Sequence, residues 1–165
     1  MNSSPILIVP GEKKSIFFEI FFKSIKSKKI ISPLILVCSK KILDKEIKKY
    51  RCNLKIELIN LAQIIKKRFN KKGLYIIDIN NHDSKNYIQE CFSIAFKIIK
   101  QGSSNKLING PINKSKTLKN KYLGMTEYIA KNFNQKKFAM LIYNDNLSVC
   151  PITTHLPLKL VSKKI

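Results

Sequence analysis

Apolar residues fall into two kinds of run along this chain, and the two kinds alternate. The first kind is short and nearly continuous: "PILIV" at 5–9, "SPLILVC" at 32–38, "LKIELI" at 54–59, "GLYIIDI" at 73–79 and "NKLING" at 105–110. Short apolar runs rich in β-branched residues and bounded by Pro, Gly or polar clusters predict strands, and continuous ones predict strands covered on both faces. The second kind is longer and interleaved with polar residues. Ser15 to Lys26 places Ile16, Ile20 and Ile25 near helical spacing, with Ser15 fit to cap the start. "KKILDKEIKKY" at 40–50 and "AQIIKKRF" at 62–69 are further helix candidates. From Ser84 to Gln101 one stripe joins Tyr87, Cys91, Ile94, Ala95, Ile98 and Ile99, and Gly102 offers a stop.

Late in the chain the pattern changes. "FAMLIY" at 138–143 and "LSVCPIT" at 147–153 flank Asn144-Asp145-Asn146, which predicts two strands and a tight hairpin turn. Alternating strands and helices followed by a hairpin predict a three-layer α/β/α fold with a mostly parallel sheet and one antiparallel pair. The final "PLKLVSKKI" begins a basic amphipathic segment with no capping signal, so the chain is expected to be a fragment.

Composition adds limits. At 165 residues, 44% hydrophobic, with six Tyr and nine Phe, the chain suits a folded domain and not wholesale disorder. Its longest apolar stretch, "SIFFEIFF", is broken by Glu19 and ends at Lys23, far short of the roughly 20 residues that span a bilayer. The start lacks the basic region of a secretion signal, which leaves the cytoplasm as the expected compartment and no membrane partner. The four cysteines, Cys38, Cys52, Cys91 and Cys150, show no C-x-x-C spacing. Cys38 and Cys150 sit in strand-like runs and are expected to be buried, reduced thiols. The net charge of +22 raises the alternative of a basic nucleic-acid-binding module. Against it, arginine occurs only at Arg51 and Arg68, and the lysines are spread over the whole chain. Solvated lysine faces fit that distribution better, and a fold that must find an anionic small substrate would also tolerate the charge.

Ligands of parallel α/β sheets bind beyond the carboxyl ends of the strands. Three loops are expected there: "PGEKKSIFFE" after 5–9, "GPINKSK" after 105–109 and "TTHLPL" after 147–153. The first is neither a dinucleotide fingerprint nor a phosphate-binding loop. In the second, Asn113 and Lys114 offer an amide and an ammonium to an anion; as a surface lysine and a helix cap they need no ligand. Thr126 and Glu127 of "GMTE" open a helix expected over 127–133, with Thr126 as its cap or near a phosphate. His155 stands at a strand end, where an imidazole can serve a divalent metal or simply be hydrogen-bonded. No H-x-x-x-H spacing exists, and His82 lies in a polar loop.

Taken together, "NGPINK", "LGMTEYIA", "AMLIYNDNLSVCPITTHLPL" and "NYIQECFSIAFKIIKQG" resemble the 4-hydroxythreonine-4-phosphate dehydrogenase family of vitamin B6 synthesis. The resemblance implies an isocitrate/isopropylmalate dehydrogenase-like fold and a homodimer with shared active sites. It implies NAD-dependent oxidation of 4-phosphooxy-threonine followed by loss of carbon dioxide, with a divalent cation (Zn, Mg or Co) held by three histidines. His155 of "TTHLPL" would be one of those ligands. Thr126 would contact substrate, and Met125 stands where the family has histidine. The family's glycine-rich first loop is reduced to "GEKKSIFFE", keeping Gly11, Ile16 and Glu19, with Glu12 a conservative exchange. On this reading residues 1–165 are the amino-terminal portion of a larger α/β dehydrogenase, whose metal- and NAD-binding half is absent and without which no activity is expected. The replacement at Met125 also admits a degenerate, non-catalytic homologue.

Overall fold

In the computed structural model, which describes residues 4–26, 30–66, 69–118, 121–153 and 156–163, the five early apolar runs form one sheet. Its strands are β1 (Ile6–Val9), β2 (Leu34–Cys38), β3 (Glu57–Leu58), β4 (Leu74–Asp78) and β5 (Lys106–Asn109), ordered β3-β4-β2-β1-β5. Every pairing is parallel, with Ile8 opposite both Leu36 and Ile108. The connections carry α1 (Phe17–Lys26), α2 (Lys40–Lys49), α3 (Leu61–Lys66) and α4 (Tyr87–Lys100), as parallel strands require a crossover between them.

Strand alternation divides the core into two layers. Ile8, Leu34, Leu36, Cys38 and Ile76 face Phe17, Phe18, Phe21 and Phe22 of α1 and Leu43 of α2. The rings of α1 contact one another at centroid distances of 5.3–5.9 Å, a geometry that adds to their burial. The opposite strand positions include Leu7, Ile35 and Val37, all fully buried, and α4 packs on β1 and β2. The α4 stripe buries Tyr87, Cys91, Phe92, Ala95, Phe96 and Ile98. The helix ends in a Schellman motif, in which Ser103 N–H reaches the Ile98 carbonyl at 3.3 Å and Gly102 N–H reaches Ile99 at 2.9 Å. At the edge, Ser104 Oγ donates to the Pro5 carbonyl at 2.6 Å and accepts from Lys106 N–H at 3.1 Å, which sets β5 beside β1.

Two compact units result, Met1–Asn113 and Lys114–Ile165. The second holds α5 (Lys114–Thr117), α6 (Met125–Asn132) and a short 3-10 segment, Leu158–Lys163, none of whose residues is buried. Here the expected hairpin is corrected. Residues 138–143 and 147–153 form no strands among the described residues; a single antiparallel bridge joins Ile142 and Val149 through hydrogen bonds of 2.8 and 2.9 Å. The turn at Asn144–Asn146 is present, closed by Asn146 N–H on Asn144 Oδ1 at 3.0 Å. The flanking apolar residues, Leu141, Tyr143 and Leu147 among them, remain exposed, and without burial there is nothing to extend the ladder. Among the described residues no helix is long and apolar enough to cross a membrane.

Cys150 is exposed, contrary to expectation, while Cys38 and Cys91 are buried. Burial raises the Cys38 thiol well above its usual value and pushes Cys91 up to about 12. A thiol reagent on the native protein is therefore expected to modify Cys150 first, Cys52 more slowly, and Cys38 and Cys91 only after denaturation. Rapid titration of Cys38 or Cys91 in the native state would contradict this packing.

Candidate functional site at the carboxyl edge of the sheet

The strand order makes β1 the turning point of the first unit, since the chain leaves it toward β2 and returns on its other side as β5. Crevices outside the carboxyl ends of strands at such points are where open α/β sheets bind ligands. Here the loops after β1 and β5 are tied by backbone. Gly110 N–H donates to Val9 O at 2.8 Å, Glu12 N–H to Pro111 O at 2.8 Å, and Asn113 N–H to Glu12 Oε1 at 3.1 Å. The two chains cross closely enough to demand glycine on both. A Cβ on Gly110 would overlap the Pro10 carbonyl oxygen and stand 2.7 Å from Phe17 Cδ2. One on Gly11 would overlap the Pro111 carbonyl oxygen, and its φ of +80° lies in the left-handed region. Gly11 is thus required by the crossing. Glu19 pairs with Lys23 at 2.7 Å on the exposed face of α1, which holds its carboxyl below the usual range.

The loop after β4 closes on the same edge. Lys13 Nζ lies 3.2 Å from Asp83 Oδ1 and 5.7 Å from the Tyr87 ring centroid. His82 Nδ1 is 3.1 Å from the Asn80 carbonyl oxygen, and its Nε2 is 3.3 Å from Asp83 Oδ2. The hydrogen bond from Lys13, with the nearby His82, lowers the Asp83 carboxyl. A lowered carboxyl contributes above its unfolded pKa and loses that contribution as pH falls through the folded value. NMR titration of Asp83 is expected to give a midpoint below the ordinary aspartate value, and Lys13→Met to move it upward; an unmoved midpoint would remove the pair. Deeper in, Ser39 N–H donates to the buried Tyr87 hydroxyl at 2.8 Å. Asp78 Oδ1 accepts Lys40 N–H at 2.7 Å, so a strand-end carboxylate, and not Ser39, satisfies the start of α2.

Of the residues singled out by sequence, Asn113 follows the crossed loops and is exposed, and Lys114 opens α5, also exposed. In the second unit α6 begins at Met125, two residues earlier than expected. Gly124, extended at φ −162°, is the cap, so Thr126 sits inside the first turn. Glu127 folds back over Gly124, its Oε2 3.0 Å from where a Cβ would be. Tyr122 packs edge-on against Tyr128 at 5.3 Å. Thr154 and His155, the histidine of "TTHLPL", lie outside the described residues. Among the described residues no three His, Cys, Asp or Glu side chains gather as a metal centre. His82 and Asp83 alone supply too few donors, and His82 Nδ1 is already turned to a carbonyl. The described residues therefore do not by themselves fit a cation. Lys13, Asp83 and Tyr87 escaped sequence reasoning as a group because they are brought together only by the sheet.

Comparison with known proteins gives a consistent result. A family model described as pyridoxal phosphate biosynthetic protein PdxA matches residues 29–165. A 4-hydroxythreonine-4-phosphate dehydrogenase of Sulfurihydrogenibium sp. is 29% identical over 97% of the chain and 52% of its own length. That of Aquifex aeolicus is 30% identical over 104 residues, covering 54% of the chain and 31% of the relative. A crystal structure of a 4-hydroxythreonine-4-phosphate dehydrogenase from Burkholderia phymatum superposes with a TM-score of 0.77 at 18% identity, over 98% of the chain and 53% of that structure, a likeness of fold. The chain spans about half the length of the relatives it matches end to end, 52% for the Sulfurihydrogenibium protein.

Proposed function

The chain belongs to the PdxA family of pyridoxal phosphate biosynthetic proteins, and from that membership we propose that it forms the amino-terminal portion of an NAD-dependent dehydrogenase acting on 4-phosphooxy-threonine, with decarboxylation of the product. The observation that carries this is the family match across 29–165, which takes in β2 to β5 and the motifs from Asn109 to Leu158, while β1 and the loop after it lie outside the matched residues. In this reading residues 1–165 contribute part of an isocitrate/isopropylmalate dehydrogenase-like fold, and the carboxy-terminal half supplies the remaining metal ligands and the NAD pocket. The protein works in the cytoplasm as a homodimer.

His155 is then one ligand of a divalent cation. Such a cation, when bound, polarises the reacting oxygen as a Lewis acid. The chain's own residues have narrower tasks. The Gly11–Gly110 crossing fixes the carboxyl-edge loops in place, and Asn113 and Lys114 leave it with an amide and an exposed ammonium toward the phosphate. Thr126, in the first turn of α6, contacts the substrate beside Met125. Lys13 is neutralised by Asp83, which leaves its role as a tie between loops.

The test is His155→Ala in the polypeptide that carries the family's carboxy-terminal half. Metal affinity by calorimetry is expected to fall by more than the roughly 10–100-fold that outer-shell changes produce. Unchanged affinity removes His155 from the site. Met125 favours a second reading, a homologue without catalysis. Turnover followed through cofactor reduction separates the two: Met125→His is expected to raise a measurable rate under the first reading, and to leave none under the second.

A further inference from the structure

We propose that the opposite, amino edge of the sheet carries a second ligand site, for an amphipathic anion: a short alkyl or aryl group bearing a carboxylate or a phosphate. A cavity of about 350 Å³ opens there, at the starts of β2 and β4 and the end of α1. That volume lies within the range of small-molecule sites, about 300–1,000 Å³. Its floor is apolar and continuous with the core, being made by Ile25, Leu34, Leu54 and Leu74. Its rim carries Lys26, Lys55 and Lys72, and among the described residues no acidic side chain lines it.

The electrostatics call for an anion. Among the described residues none of these three ammonium groups is held by an ion pair or hydrogen bond, although other lysines of the same unit do find carboxylates. Solvated lysines on a convex surface need no partner, but here three line one apolar depression and border its low-dielectric wall. Lys26 lies in the last turn of α1, where part of its charge serves the helix terminus. Lys55 and Lys72 have no such duty and carry the recognition. A ligand that matches the whole cavity must place carbon on the leucine floor and negative charge at the rim. Neither a bare phosphate nor an uncharged alkyl chain does both.

Because all strands are parallel, this edge is remote from the crossed loops of Gly11 and Gly110, so the site stands independently of the dehydrogenase reading. The experiment titrates the protein with octanoate, octyl phosphate, octanol and inorganic phosphate, following methyl resonances of Leu54 and Leu74. At least one octyl anion is expected to shift these methyls saturably, with octanol and inorganic phosphate at least 10-fold weaker. Lys55→Gln/Lys72→Gln changes only exposed side chains and is expected to weaken octyl-anion binding at least 10-fold with an unchanged circular dichroism spectrum. The proposal is overturned if neither octyl anion binds, if octanol binds as well as they do, or if the double variant binds normally.

Discussion

Gly110→Ala is expected to lower the melting temperature by roughly 10 °C, the effect of about 3–4 kcal/mol in a domain of this size. The methyl group has nowhere to go. What it meets is the backbone carbonyl of Pro10, which cannot rotate away as a side-chain end would. Relief requires the ends of β1 and β5 to part, with loss of the Gly110–Val9 and Glu12–Pro111 hydrogen bonds, both 2.8 Å. Gly102→Ala is the control: no atom lies within 4 Å of its Cβ, so only the cost of a left-handed φ of +76° applies, about 1–2 kcal/mol. Equal melting temperatures for the two variants would show that the loops do not cross as described.

Replacing Tyr87 is expected to give the second large effect, in two separable parts. Tyr87→Phe keeps the ring and leaves the buried Ser39 N–H without its 2.8 Å acceptor, a cost of about 1–3 kcal/mol. Tyr87→Ala also empties a site that is 5% exposed and removes the ring under Lys13, for a total of about 4 kcal/mol or more. Burial raises the Tyr87 phenol far above its ordinary value, so it stays neutral and both differences should be flat between about pH 6 and 9. Denaturant unfolding of the two variants at both ends of that range is the measurement. A phenylalanine variant as stable as the parent would mean that the hydroxyl does not hold the end of β2.

Legibility differed between the two units for a physical reason. In the first, the continuous runs of β1, β2 and β4 were strands because helices cover both faces of the sheet there, and α4 was a helix because Tyr87, Cys91, Ala95 and Ile98 of its expected stripe are buried, joined by Phe92 and Phe96 in place of Ile94 and Ile99. Apolar runs of the same kind at 138–143 and 147–153 did not become strands. A run of Leu, Ile and Tyr states only that a segment can be buried; pairing needs a neighbour, and those residues are exposed. The same logic misplaced Cys150.

Sequence by itself determined the alternation of strands and helices, the five strands of the sheet, the stop at Gly102 and the family to which the chain belongs, because each is written in local period, turn chemistry or matched motifs. Tertiary structure alone decided the strand order, the crossing that forbids a side chain at Gly110, the meeting of Lys13 with Asp83 across 70 positions and the lysine-rimmed cavity at the amino edge. These depend on which distant segments become neighbours, and that is set by how the whole sheet buries its two faces.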